Sequence, residues 1–231
     1  PPLLLLYLRG ASFTWFFNLL PMWAFTGALL LVIYFIWDTI MYKKEDWTAL
    51  SADSREQRPI QITGKINFVF LLGVILSVAF INADMLPAMG EEGAPWWLVY
   101  LREIVLISMI MMSLLETKKE VREANKYSWR PIIEVVFLGI FITMTPTIMY
   151  LNQIAASLGL TEPWQFYYFA GGLSSFLDNA PTAVAFHSVA TALPIEGTAV
   201  AGISEILLKA IALGSVFFGA MTYIGNGPNF M

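Results

Sequence analysis

Five long apolar runs separated by polar loops dominate the pattern of this 231-residue chain. A helix needs about 20 apolar residues to cross the hydrocarbon core of a bilayer. Each run is close to that length, so the pattern predicts an all-α polytopic membrane protein. About five transmembrane helices are expected, near residues 15–42, 66–82, 96–115, 131–151 and 203–224.

Residues 166–193 depart from this pattern. They contain FAGGLSSFLDNAPTAVAF, in which two apolar limbs, each too short to cross a membrane, flank a polar centre. Pro181 removes a backbone donor and disfavours helix at Ala180. We therefore predict a re-entrant hairpin of two half-helices joined by a polar break. Such a break is tolerated at membrane depth only where it is buried in protein or lines a cavity.

Basic residues indicate the orientation in the membrane. Residues 43–65 hold five Lys or Arg and residues 116–130 hold another five, whereas the connections 83–95, 152–165 and 194–202 hold none. Cytoplasmic loops carry an excess of Lys and Arg. The two basic loops are therefore predicted to be cytoplasmic, in a multi-pass protein of the plasma or inner membrane.

Composition supports the membrane class and narrows the chemistry. Hydrophobic residues make up 58% of the chain and charged residues 13%, whereas soluble domains have about 25% charged residues. The chain has no cysteine and one histidine, which excludes thiolate metal sites, a cysteine nucleophile and sites that need two imidazoles. A net charge of −4 does not indicate a nucleic-acid partner. The sequence has no Gly-rich phosphate loop of the kind that binds ATP. We therefore expect a protein that is not an enzyme and holds no cofactor.

The polar centre of the predicted hairpin is the strongest candidate site. It supplies hydroxyls, a carboxylate and a carboxamide, an oxygen-rich set that suits a hard cation such as sodium. An intramembrane aspartate also suits proton exchange. The alternative is a packing kink in which small residues allow close helix contact and the aspartate caps a half-helix. The candidate ligands are Ser174, Ser175, Asp178, Asn179, Pro181 and Thr182, with Asp178, Asn179 and Thr182 as the predicted sodium ligands.

A second interruption ends the fifth apolar run, in the sequence TYIGNGPNF. Glycine permits positive φ and asparagine supplies amide oxygens. A helix cap followed by a turn would explain this segment by itself. Two interrupted apolar segments in one chain, however, are the sequence pattern of a discontinuous-helix binding site. The candidates here are Thr222, Gly225, Asn226, Gly227 and Asn229.

Two further titratable residues are candidate proton relays. Glu134 lies one turn into the fourth run, where an acid also favours the helix dipole. His187 lies nine residues after Asp178, and a lone histidine is more often a hydrogen-bonded packing residue.

Four charged residues within the spans have structural explanations. Arg102 and Glu103 are near enough to a span end for Arg102 to extend to the interface. Glu205 precedes Lys209 by four residues, the favourable order for a helical ion pair.

Several segments resemble a known superfamily. SFLDNAPTAVAF followed by AIALGSVFFGAMTYIGNGPNFM is similar to the second half of the ion-transporter superfamily, which holds arsenite permeases, NhaD-type sodium/proton antiporters and citrate or dicarboxylate carriers. The most similar branch is described as sodium:proton antiporters or citrate transporters. The opening PPLLLLYLRG and the segment EVVFLGIFITMTPT also match that branch, so the resemblance covers essentially the whole chain.

The resemblance implies an inverted-repeat transporter fold, with residues 174–182 and the unwound stretch 225–229 forming one half of a midplane site. Residues 1–14 would be a remnant of the first-repeat unwound helix, 15–65 a transmembrane helix with its cytoplasmic loop, and 66–231 a second-repeat transport domain. On this view the chain is a fragment that spans the end of one repeat and most of the next. Membrane lipid and, as in relatives, a second copy in a homodimer are the expected partners.

The leading functional hypothesis is sodium (or lithium)/proton antiport by alternating access. Asp178 would exchange a proton for sodium, with Asn179, Thr182, Asn226 and Asn229 completing an oxygen shell. The alternative is transport of citrate, a dicarboxylate or an arsenite-type solute, coupled to sodium or protons. A membrane hydrolase is not indicated, since no paired aspartate motif or HExxH is present. A non-transporting scaffold would give no reason for the polar hairpin.

Overall fold

The structure is a computed structural model that describes residues 2–46, 51, 62–83, 85–125, 128 and 142–222. The chain divides into two compact units. One consists of Pro1–Leu20 together with Ser128–Met231, and the other of Pro21–Tyr127.

The first apolar run forms a long helical stretch. A short helix α1 (Pro2–Leu8) precedes it, and a 3-10 helix at Thr14–Leu19 leads directly into α2 (Leu20–Tyr42). The stretch Thr14–Tyr42 has 29 residues and a mean hydropathy of 2.1. Among the described residues it is the one helix that is long and apolar enough to cross a membrane. This agrees with the first predicted span.

The second and third apolar runs form helices that pack together in the second unit. Helix α3 covers Ile66–Phe80. The third run was predicted as one helix, but Tyr100 interrupts it with φ −100° and ψ 17°. The result is a short α4 (Trp96–Val99) followed by α5 (Leu101–Glu116), and the basic loop after them contains α6 (Lys119–Ala124).

A partly buried polar contact joins α3 to α5. Asn67 Oδ1 accepts hydrogen bonds from the Ser113 hydroxyl at 2.7 Å and from the Thr117 hydroxyl at 2.9 Å. Two donors on one amide oxygen link the side chains of the two helices at this level.

In the other unit, the fourth apolar run contributes α7 (Ile142–Ile154), with Pro146 inside the helix and a 3-10 helix at Ala155–Leu158 after it. The stretch predicted as a hairpin forms α8 (Pro163–Ser174) and α9 (Asn179–Ala190). A capping box between Glu162 and Gln165, with Pro163 in the first turn, fixes the start of α8.

The prediction of a single helix over 203–224 is wrong at both of its described ends. Strands β1 (Ala199–Val200) and β2 (Ile203–Ser204) form a small antiparallel pair before the helix. The turn between them has positive φ at Ala201 (52°) and Gly202 (78°), the geometry of a tight type I′ hairpin. Helix α10 then covers Glu205–Phe218, 14 residues or about 21 Å.

The core of this unit is where α1, α8, α9 and α10 meet. Its fully buried apolar side chains include Leu6 on α1, Phe166 on α8, and Leu208 and Ile211 on α10. Helices α8 and α10 make the most extensive contact. Small residues allow this closeness, since a side chain built on Gly214 would lie 2.4 Å from the carbonyl oxygen of Tyr167. The polar break between α8 and α9 is therefore attached to a tightly packed pair of helices.

Candidate functional site

The chain leaves its helical path between α8 and α9. The two helices have 12 residues each, or about 18 Å, so neither would cross a bilayer core of about 30 Å. Residues 175–178 connect them. The prediction of two short helices around a polar break is confirmed, whereas re-entry into the membrane remains a prediction.

Pro181 does not lie in the break. It occupies the first turn of α9, and Ala180 before it is helical. The prediction that proline disfavours helix at Ala180 was wrong here, since Ala180 is helical. Pro181 itself is accepted because the first N–H groups of a helix have no intrahelical acceptor, so a proline there removes no hydrogen bond. The break falls instead at Ser175–Asp178, before the proline.

Asp178 and Asn179 present the least satisfied polar atoms of the break. Asp178 is the N-cap residue of α9, yet its side chain makes no capping hydrogen bond. Its Oδ1 atom is buried without a hydrogen-bond partner among the described residues, and the same is true of Asn179 Oδ1. A buried oxygen without a donor carries a desolvation penalty of about 1–3 kcal/mol, and more when it is charged. A cation or a proton bound there would remove that penalty.

The helix ends also contribute to the electrostatic potential at the break. The first turn of α9 directs its free N–H groups and positive dipole end toward the break, which favours the Asp178 carboxylate. The last carbonyls of α8 give the opposite sign and favour a cation. Those carbonyls already accept backbone hydrogen bonds from residues 175–177. The atoms of the break that suit a hard cation are therefore the carboxylate oxygen of Asp178 and the amide oxygen of Asn179.

The hydroxyls of the predicted site all donate to backbone carbonyls. The Thr182 hydroxyl bonds the Asp178 carbonyl oxygen at 3.0 Å. The Ser174 hydroxyl bonds the Ser215 carbonyl at 2.6 Å, and the Ser175 hydroxyl shares its one proton between the Gly171 and Phe218 carbonyls, each at 3.2 Å.

Thr222 also lies at this point, because its hydroxyl bonds the carbonyl of Ser175. The structure thus brings Ser174, Ser175 and Thr222 together at the ends of α8 and α10. The remaining predicted ligands Gly225, Asn226, Gly227 and Asn229, and the predicted relay Glu134, lie outside the described residues.

His187 is a buried hydrogen-bonded residue of α9, with 3% of its surface exposed. Its Nε2–H donates to the Ala201 carbonyl at 3.0 Å, while Nδ1 is buried without a partner in the described part of the chain. Ala201 holds a left-handed backbone conformation that is unfavourable for a residue with a Cβ. The geometry thus indicates that the His187 side chain stabilises the β1–β2 turn through this hydrogen bond. A relay role for His187 stays a prediction.

Replacing His187 by leucine is expected to lower the free energy of unfolding by about 1–2 kcal/mol, because the Ala201 carbonyl loses its donor. Glutamine at the same position retains an amide donor and is expected to restore part of the loss. Thermal unfolding of the two variants in detergent measures the difference. Equal midpoints for leucine and wild type would contradict the role assigned to this hydrogen bond.

The four charged residues predicted within the third and fifth runs are paired. Arg102 and Glu103 form an ion pair with an N–O distance of 2.6 Å. Lys209 and Glu205 form another at 2.8 Å, which agrees with the predicted helical pair. The Trp15 indole N–H also donates to the Glu205 carboxylate, at 3.2 Å. Both mid-span bases therefore have an acid beside them and are not open anion sites in this arrangement.

Two residues that sequence reasoning missed contribute to the site through their backbones. Gly214 allows α8 to approach α10, and Ser215 offers the carbonyl that Ser174 bonds. Their signal was present in the sequence, since Gly171 and Ser174 on one helix and Gly214 with Ser215 on the other are small residues of the kind found where membrane helices pack closely.

These features of the break indicate the general class of the protein. A helix interrupted at a buried, oxygen-rich point is a feature of discontinuous-helix membrane transporters, and the described part of the chain also holds one long exposed apolar helix. The chain belongs to the protein family described as "Putative citrate transport", whose model matches residues 1–231. The resemblance to the citrate-transporter branch is thereby confirmed, and the protein is a membrane transport protein. No curated protein matches the chain, and no solved structure does.

Proposed function

We propose that this protein transports citrate or a closely related carboxylate across the membrane, coupled to sodium or protons. The family supports the carboxylate as cargo. The observation that carries the coupling is a pair of buried oxygens at the break between α8 and α9, Asp178 Oδ1 and Asn179 Oδ1, which have no hydrogen-bond partner in the part of the chain that the structure describes. Acceptors without donors favour a positive species, so the break suits the coupling cation better than the carboxylate itself.

Charge balance gives a reason for the coupling. Citrate carries up to three negative charges, and in the described spans Arg102 and Lys209 are already paired with Glu103 and Glu205. A carboxylate that enters a low-dielectric site needs compensating charge, because an isolated buried anion is very unfavourable. A cation at Asp178 supplies it without a further basic residue, and the N-terminus of α9 adds a favourable dipole.

Sodium/proton antiport is the second candidate. It is favoured by the single carboxylate at the break, because one acid that binds either a proton or sodium gives exchange without further groups. In this case Asp178 would serve both cargoes in turn. The predicted sodium ligand Thr182 would then contribute through its hydroxyl lone pairs, since its proton is used on the Asp178 carbonyl. The cytoplasmic placement of the basic loops and the homodimer remain proposals that either function would accommodate.

The full-length protein in liposomes, with labelled citrate outside and a pH dye inside, separates the two candidates. For the proposed function, citrate uptake should rise at least several-fold when sodium or a proton gradient is supplied, and sodium alone should move few protons. Liposomes without protein and a sodium-free choline buffer are the controls. Sodium-driven proton movement in the absence of citrate, with no citrate uptake, would instead establish the antiporter.

A further inference from the structure

Three hydroxyls join the end of α8 to the end of α10. Ser174 donates to the Ser215 carbonyl at 2.6 Å, and Thr222 donates to the Ser175 carbonyl. The single hydroxyl proton of Ser175 is shared between the Phe218 carbonyl and the Gly171 carbonyl of its own helix, each at 3.2 Å. Ser174 and Ser175 lie on the helix that ends at the break, whereas their acceptors lie on α10. Thr222 reaches back in the other direction. We call Ser174, Ser175 and Thr222 the hydroxyl clamp.

The clamp hydroxyls differ from the bare oxygens at the break. Ser174 has no exposed surface and Ser175 has 4%, so protein atoms already surround both side chains. A serine or threonine hydroxyl has one proton to donate, and each of these protons is used on a backbone carbonyl. Asp178 and Asn179 instead hold buried oxygens without a partner among the described residues.

The helices on which the clamp lies have little freedom to slide. A Cβ on Gly214 would lie 2.4 Å from the Tyr167 carbonyl oxygen, and one on Gly171 would lie 2.6 Å from the Phe218 ring. Two backbones this close move as one body, because packed interfaces have discrete arrangements rather than continuous ones. The clamp therefore fixes residues 175–178 to α10 as well as to α8.

We propose that the hydroxyl clamp positions Asp178 and Asn179 and does not itself bind the cargo. The end of α10 then sets the geometry of the break, and loosening the clamp weakens cation binding although no ligand is removed. This inference rests on the proposed function only where it concerns cation affinity. The clamp itself is tested without any cation.

Thr222→Val is the sharpest variant, because valine keeps the shape of threonine and loses only the hydroxyl. Thr222→Ser keeps the hydroxyl and is the matched control. Since these 231 residues include no cysteine, a single cysteine introduced among them can report on the break. Leu177→Cys introduces it within residues 175–178, where Leu177 is 51% exposed.

The rate at which a water-soluble maleimide labels Leu177→Cys is measured in detergent and sodium-free buffer. Loss of one net hydrogen bond should raise the labelling rate about 2- to 10-fold in the Thr222→Val background and leave it unchanged with Thr222→Ser. Labelling of Ile195→Cys, an exposed position after α9, should be the same in all three backgrounds. Equal rates at Leu177→Cys with valine and threonine would overturn the clamp.

Sodium titration of citrate uptake in the same backgrounds is the second readout. For a positioning role, Thr222→Val should raise the sodium concentration for half-maximal uptake by a similar factor, with the maximal rate largely kept. A raised sodium requirement without faster labelling would overturn the proposal and make Thr222 a direct ligand. Faster labelling in a protein whose uptake never depends on a cation would support the clamp while refuting the proposed coupling.

Discussion

Asp178→Asn is expected to lower cation-coupled citrate uptake at least tenfold, to about the level of empty liposomes. The substitution keeps the shape of the side chain and removes its negative charge. Hydrogen bonds and contacts to a charged group contribute about 1.5–3 kcal/mol, which corresponds to a factor of 10 or more in binding. Because the buried Oδ1 has no partner within residues 142–222 or elsewhere in the described chain, the variant loses no hydrogen bond to those residues through that atom.

The stability of the same variant gives an independent check. A neutral amide is less costly to bury than an unpaired carboxylate, so the unfolding midpoint of Asp178→Asn should equal or exceed that of the wild type. Glu196→Gln is the matched control, since it makes the same chemical change at an exposed position. That control should transport normally. Undiminished sodium- or proton-dependent uptake by Asp178→Asn would remove Asp178 from the coupling site.

Gly214→Ala is expected to destabilise the protein by about 2 kcal/mol or more. The added Cβ would lie 2.4 Å from the Tyr167 carbonyl oxygen, and the next nearest atoms are also backbone atoms of Tyr167. No rotation of a flexible side chain relieves such a contact, so α8 and α10 must separate. The neighbouring Ser215 carbonyl would then move away from the Ser174 hydroxyl, and uptake should fall together with stability.

Gly172→Ala is the control for this prediction. It lies on α8 beside Gly171, and a Cβ there meets nothing within 4 Å. Because alanine favours helix over glycine by up to about 1 kcal/mol, this substitution should leave stability unchanged or raise it. Thermal unfolding of both variants in detergent measures the contrast. Equal midpoints for the two variants would show that α8 and α10 do not approach as closely as the structure places them.

The existence of the candidate site could be predicted from the sequence better than the exact residues at which its helices end. The break between α8 and α9 follows from local chemistry, since glycine, serine, aspartate and asparagine interrupt an apolar run. The break lies within the predicted polar stretch 174–182. Only its link to Pro181 did not follow, because Pro181 is accepted in the first turn of α9 and the chain turns earlier, at 175–178. The end of the fifth run was predicted too late for the same reason: which residue ends a helix depends on what it packs against.

The start of α10 shows a similar limit. Ile203 and Ser204 continue an apolar pattern in the sequence, but they pair with Ala199 and Val200. Ala201 and Gly202 make the turn in place of the usual Asn-Gly pair. The His187 side chain donates to the Ala201 carbonyl from a helix 14 residues earlier in the chain. The sequence of the turn by itself does not predict that contact.

Composition and periodicity by themselves determined the class of this protein, its apolar helices and the oxygen-rich break at Asp178, because burial in lipid and helix interruption depend on the local residue types. Only the tertiary structure decided which polar atoms form hydrogen bonds and which have no partner among the described residues. Ser174, Ser175 and Thr222 looked like ligands beside Asp178 and Asn179, yet their hydroxyls reach carbonyls 41, 43 and 47 residues away. Hydrogen bonds over such separations exist only because Gly171 and Gly214 let two helices approach, and that proximity is a property of the packed fold.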